Sequence, residues 1–172
     1  MQAKPTTKEE FLEAYDAYSD AIYRHCFFRV YSESRAEELV QETFLRTWEY
    51  LSKGKTVDNM RVFLYKVATN LIIDDSRKKR TESLDSLLER SPAAEPSYAG
   101  HADVERDVLL YEVRATMAKL PEDERKILSL RYVDDLDPKD IAEVLGITPN
   151  NVSVRLNRAM KRLREEFGED AL

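Results

Sequence analysis

The sequence predicts an all-α protein: two small helical domains joined by a flexible linker, the C-terminal one a helix-turn-helix. Three observations carry this. Four glycines and six prolines in 172 residues are too few for the frequent turns of a β-sandwich or barrel. Apolar residues recur three and four apart over most of the chain, the spacing of one helix face. That period fails over 81–103, where two prolines, a glycine, serines and alanines gather. A loop that long inside one compact domain is unusual, so a boundary belongs there. The expected organisation is a domain over 8–80, a linker over 81–103 and a second domain over 104–168.

The elements follow in order. Phe11, Tyr15, Tyr18 and Ile22 place a first helix from Lys8 onward, with Cys26 in the apolar run "HCFF" as a small core residue. His25, on the same helix, is expected at the surface or rim. After Ser34, the residues Leu39, Val40, Phe44, Trp48 and Leu51 mark a second helix. The polar loop "SKGKTVDN" separates it from a third over 60–80, whose stripe is Phe63, Val67 and Leu71 and whose end is the basic run Arg77 to Arg80. Within the linker only Leu84, Leu87 and Leu88 could form a short helical turn. The second domain starts with the amphipathic "VERDVLLYEVRATMAKL". Pro121 then begins a further helix whose first turn is acidic, as the helix dipole favours. Asp137-Pro138 and Thr148-Pro149 each pair an N-cap residue with proline at the first helical position, which starts two more helices.

Composition excludes several classes of function. An apolar content of 42% with 35% charged residues describes a folded, soluble chain rather than a disordered one. A single cysteine cannot form an internal disulfide and fits a reducing compartment. The opening "MQAKPTTKEEFLEAY" lacks a signal-peptide core, and no stretch approaches the ~20 apolar residues of a bilayer span; a cytoplasmic location is expected. His25, His101 and Cys26 are not in any metal-ligand spacing, no glycine-rich phosphate loop occurs, and no Ser-His or Cys-His pair is suggested. No cofactor, metal or catalytic residue is expected.

The two helices after Asp137 match a helix-turn-helix position by position. Ile141 and Leu145 point inward, Ala142 is small where the second helix crosses, and Gly146 permits a left-handed turn residue. Ile147 closes the corner, and Val152, Leu156, Met160 and Leu163 anchor the longer helix. Charge is segregated onto that helix. The chain has formal net charge −6, yet 146–164 holds Arg155, Arg158, Lys161, Arg162 and Arg164 and no acid. With Asn150, Ser153 and Asn157 beside them, these residues can hydrogen-bond base edges and neutralise phosphates. A solvated basic hairpin is the plainer alternative, but the capped prolines, Ala142, Gly146 and the acid-free helix favour DNA.

Two further faces stand out in the first domain. Glu37, Glu38, Gln41, Glu42 and Glu49 surround Leu45, which is either an ordinary solvated face or the seat of a basic protein partner. The third helix offers Lys66, Asn70, Arg77, Lys78, Lys79 and Arg80, with Tyr65 and Thr69 nearby. Those residues suit the backbone and unstacked bases of a single strand, or again plain solvent.

Taken together, "AEELVQETFLRTWEYL", "FLYKVATNLIIDDSRKKR" and "LPEDERKILSLRYVDDLDPKDIAEVLGITPNNVSVRLNRAMKRLRE" resemble the extracytoplasmic-function sigma factors of bacterial RNA polymerase, in the family's order and spacing. The resemblance implies that Glu38, Gln41 and Glu42 make polar contacts to the clamp helices of the polymerase core, with Leu45 and Trp48 as apolar support. It implies that the loop Lys53 to Asn59 and the following helix capture the minus-ten element, with Asn70 on a flipped base and Arg77, Lys78, Lys79 and Arg80 on phosphates. Ser153, Val154, Arg155, Asn157 and Arg158 would read the minus-thirty-five element, and Lys161 and Arg162 would add affinity. Val154 stands where the family often has serine and offers only apolar contact, so the usual promoter sequence does not transfer. Control by an anti-sigma factor is implied too. Two other readings compete: a stand-alone helix-turn-helix regulator with an N-terminal dimerisation or sensor domain, and a helical adaptor that binds no DNA.

Overall fold

A computed structural model describes residues 7–30, 32–85 and 115–167, with the side chains of 80–85 and 167 excepted. Every regular element among them is helical. They fall in two compact units, within 1–96 and 97–172. The expected linker from 86 on, with His101, lies outside the described residues.

The first unit packs three helices against one another: α1 (Thr7–Val30), α2 (Glu33–Ser52) and α3 (Met60–Asp85). The N-cap of α2 is Ser32, two residues before the serine expected to open it, and its hydroxyl accepts from the Arg35 amide at 3.4 Å. Gly54, at φ +74°, follows its end and donates to the Leu51 carbonyl. Asn59 caps α3 by accepting from the Val62 amide at 3.1 Å. The core is Ile22 and Cys26 from α1, Leu39, Phe44 and Leu51 from α2, and Val62, Leu64, Ala68 and Ile72 from α3. Thr43 and Thr47 are also fully buried; each hydroxyl donates to the carbonyl four residues earlier, so neither leaves a polar atom unmet.

Three sequence expectations are corrected here. α3 runs to Asp85 rather than ending at Arg80. Its buried face is broader than the stripe Phe63, Val67 and Leu71: the first two are only half-buried, while Val62, Leu64, Tyr65, Ala68 and Thr69 are fully inside. A helix covered by two neighbours buries more than one stripe, which blurs the period. Finally, His25 is 1% exposed rather than a rim residue. Its Nε2 lies 3.2 Å from the Thr69 hydroxyl, and the Tyr65 ring meets it edge-on at 5.2 Å.

In the second unit, α4 (Glu122–Leu128) follows a helical stretch at 115–119. Pro121 is its N-cap, so the helix starts at Glu122, one position later than expected. α4 then widens into a π-helical turn, Ser129–Val133, and stops at Asp135, a non-glycine residue at φ +52°. The Arg131 guanidinium donates to the Leu136 carbonyl at 3.1 Å and ties that exit down. α5 (Pro138–Leu145) is capped by Asp137, which accepts from the Asp140 amide at 2.8 Å, and ends at Gly146 with φ +66°. α6 (Pro149–Phe167) is capped by Thr148, which accepts from the Asn151 amide. Leu130, Leu136, Ile141, Val144, Val152 and Ala159 are fully or almost fully buried. α5 and α6 form the expected helix-turn-helix, and α4 packs against α6.

Candidate partner and nucleic-acid interfaces

On α2 the positions Glu38, Gln41, Leu45 and Trp48 recur at three and four residues, so one face of the helix carries them all. Leu45 is 52% and Trp48 38% exposed, unusual for large apolar side chains gathered in one place. Phe11, Leu12 and Tyr15 of α1 join Gln41, Leu45 and Trp48 around an open groove of about 610 Å³. The Trp48 indole is not loose: Phe11 meets it edge-on at 5.3 Å, and Tyr15 meets Phe44 at 4.8 Å. The sequence period assigns Phe11 and Tyr15 to the inner stripe and misses this contribution of α1. The signal was Leu12, an apolar residue off that stripe, and it is 48% exposed.

The acids Glu38 and Glu42 lie toward α3 and are held. Glu42 accepts from Arg46 at 2.8 Å, and Glu38 pairs with Arg35 through Nη1. Arg35 also reaches across to α3, donating through Nε to Asp75 Oδ1 at 2.8 Å, while Lys79 stands 3.2 Å from Asp75 Oδ2. A line of alternating charge, Glu38–Arg35–Asp75–Lys79, thus crosses from α2 to α3. Burial pushes the Asp75 carboxyl up, but hydrogen bonds from Arg35 and Lys79 outweigh it and hold the group below its ordinary range. Glu38 first and Asp75 second raise the Arg35 guanidinium.

α3 brings Lys66 and Asn70 to one exposed face, and Arg77, Lys78 and Lys79 are exposed beyond them; Arg80 lies outside the described side chains. Tyr65 and Thr69 do not join this face. At 2% and 1% exposed they belong to the core around His25, so Tyr65 offers no platform for a base. The aromatic rings near the preceding loop are Tyr50 and Phe63, 4.8 Å apart, with the Lys55 ammonium 4.9 Å over the Tyr50 ring. That contact pins the exposed loop to α2. Nothing in the loop sequence alone announces it.

α6 exposes Asn150, Ser153, Val154, Asn157, Arg158, Lys161 and Arg162. Arg155, on the flank, donates to Asn151 at 2.9 Å. Arg162 differs from its neighbours: Nη1 lies 3.4 Å from Glu124 of α4. Among the described residues no three of His, Cys, Asp and Glu are grouped to hold a metal ion, and no helix is long and apolar enough to cross a membrane.

Known proteins share this organisation. The family described as Sigma-70 region 2 matches residues 14–82, and Sigma-70, region 4 matches 110–163. The ECF RNA polymerase sigma factor SigL of Mycobacterium tuberculosis is 30% identical over 151 residues, which cover 87% of this chain and 84% of that protein. The ECF RNA polymerase sigma factor SigW of Bacillus subtilis is 28% identical over 177 residues, 96% of this chain and 93% of its own length. Among solved structures, the sigma factor RpoE of Bartonella quintana, in complex with the anti-sigma factor NepR, superposes with TM-score 0.68 at 23% identity, covering 95% of this chain and 97% of that one. CnrH in complex with the cytosolic domain of CnrY gives 0.70 at 20% identity, covering 95% and 91%. These two establish likeness of fold. With a matching region in each unit and near full-length relatives, the chain belongs to the sigma-70 family of RNA polymerase sigma factors, in its ECF group.

Proposed function

We propose that this sigma factor directs promoter-specific initiation through three separate surfaces. The α1–α2 groove, with Glu38, Gln41, Glu42, Leu45 and Trp48, takes the clamp helices of the polymerase core. Lys66, Asn70 and Arg77 to Arg80, with the loop 53–59, take the separated minus-ten strand. Ser153, Val154, Arg155, Asn157, Arg158 and Lys161 on α6 meet the minus-thirty-five duplex. The first domain, expected over 8–80, extends to the end of α3 at Asp85, and the second is 104–168. The chain supplies binding energy and the polymerase performs the chemistry, so it is not itself an enzyme.

The α2 face carries this reading: Leu45 and Trp48 are exposed and braced by α1 rings, and the Glu42–Arg46 ion pair lies on the same helix. Apolar anchors inside a charged rim are how a protein interface is built. An anti-sigma factor would act by covering that groove and α6, and the complexes in which RpoE and CnrH were solved support a partner of this kind. The factor is then cytoplasmic, held at the membrane where its anti-sigma partner is anchored there.

Glu42→Lys tests the assignment. It places a cation on the acidic rim and removes the partner of Arg46. Pull-down with core polymerase and promoter-dependent transcription should both be lost, while duplex binding by the second unit persists. Normal transcription by Glu42→Lys would contradict the assignment.

A further inference from the structure

Arg158, Lys161 and Arg162 occupy adjacent turns of α6 but not one environment. Arg158 and Lys161 stand on the exposed face with Ser153, Val154 and Asn157. Arg162, though its side chain is 44% exposed, sits seven residues after half-buried Arg155, beside fully buried Ala159, and so on the flank that faces α4. There it meets Glu124, whose side chain is 13% exposed. The second oxygen of that carboxylate, Oε2, is buried with no hydrogen-bond partner among the described residues. One turn on, Glu166 pairs with Lys119 at 3.7 Å along the same flank. Among the described residues, Arg162 is therefore the cation that pairs with Glu124.

This decides what Arg162 does when DNA arrives. A phosphate that drew the guanidinium away would leave a largely buried carboxylate with no cation opposite it among the described residues, which costs more than an exposed ion pair returns. Arg158 and Lys161 can take phosphates without orphaning a buried acid. We propose that Arg162 is a positioning residue: through Glu124 it fixes the roll of α6 on α4, and so where Ser153, Val154 and Asn157 meet the base edges. This rests on the reading of α6 as the DNA-facing helix.

Charge and position have different signatures. A lost phosphate contact weakens all sequences alike and lowers the salt slope by about one; a helix set at the wrong roll loses discrimination. The test uses holoenzyme formed from the full chain and core polymerase. Its probes are a duplex that the wild type selects from a randomised pool and a shuffled duplex, each titrated across a salt series. Lys161→Gln should weaken both duplexes equally and lower the slope by about one. Arg162→Gln should leave the slope unchanged and cut the selected-to-shuffled ratio on the order of tenfold, the effect of one misread base pair. Arg162→Lys, which keeps a cation beside Glu124, should restore part of that ratio. If Arg162→Gln fails to fold, Glu124→Gln decides: it keeps the guanidinium but loosens the tether, and the ratio should fall with the slope maintained. A slope lowered by one with the ratio intact in Arg162→Gln, or an unchanged ratio in the variants that fold, would overturn the proposal. If the wild type selects no duplex, the reading of α6 itself fails.

Discussion

Asp75→Asn keeps the side-chain shape and removes one charge from the centre of the Glu38–Arg35–Asp75–Lys79 line. The carboxylate is 9% exposed and accepts from Arg35 Nε at 2.8 Å, with Arg35 Nη2 at 2.5 Å and Lys79 at 3.2 Å. A hydrogen bond to a charged group in such a place contributes about 1.5–3 kcal/mol. The Lys79 pair, with that lysine 60% exposed, adds less than about 1 kcal/mol. Asparagine keeps one neutral acceptor, so a net loss of about 2 kcal/mol is expected. The pH dependence has a definite sign. The folded carboxyl is held below its ordinary range, so its stabilisation is complete above the unfolded value of about 3.9 and is lost as pH falls through the folded value. The chain has one tryptophan, Trp48 on α2, so its emission during urea unfolding reports the first unit alone. Wild type and Asp75→Asn should differ by about 2 kcal/mol at pH 7 with equal m-values, and the gap should close below about pH 4. Coincident midpoints at pH 7, or a gap as wide at pH 3 as at pH 7, would rule out a stabilising Asp75 carboxylate.

Three further outcomes are expected. Gly146→Ala should destabilise the second unit by about 1 kcal/mol in thermal unfolding followed by circular dichroism; no atom lies within 4 Å of the added methyl, so the cost is the φ of +66° alone. His25→Phe should cost the first unit about 1–2 kcal/mol at Trp48, because the ring packing against Tyr65 survives while the buried Thr69 hydroxyl loses its His25 partner. Leu45→Ala, at a residue 52% exposed, should leave the melting temperature unchanged and weaken core-polymerase binding on the order of tenfold, read by titration of labelled chain.

The parts of this protein legible in the sequence are those set by local chemistry. Asp137-Pro138, Thr148-Pro149 and Gly146 each act within a few residues of themselves, and all three sit where the pattern places them. The exposed acids of α2 were legible because a stretch of carboxylates on one face has no way into a core. What escaped is set by neighbours distant in sequence. His25 reads as a surface residue until Thr69, 44 positions on, supplies a hydrogen-bond partner inside the bundle. Tyr65 reads as a base-stacking aromatic until its burial is known. The π-helical turn at Ser129–Val133 and the strained Asp135 have no local signal; a carbonyl bond from Arg131 stabilises the exit. Arg162 reads like every other cation on α6, and only Glu124 distinguishes it.

The proposed role has this chain confer promoter choice on polymerase through a partner groove in its first unit and a recognition helix in its second. The most direct measurement is transcription reconstituted from purified core polymerase and genomic DNA, with and without the chain, and sequencing of the 5′ ends. Discrete start sites should appear only with the chain, share sequence upstream, and vanish with Glu42→Lys. Initiation identical with and without the chain, or duplex binding as a dimer with no effect on polymerase, would contradict it.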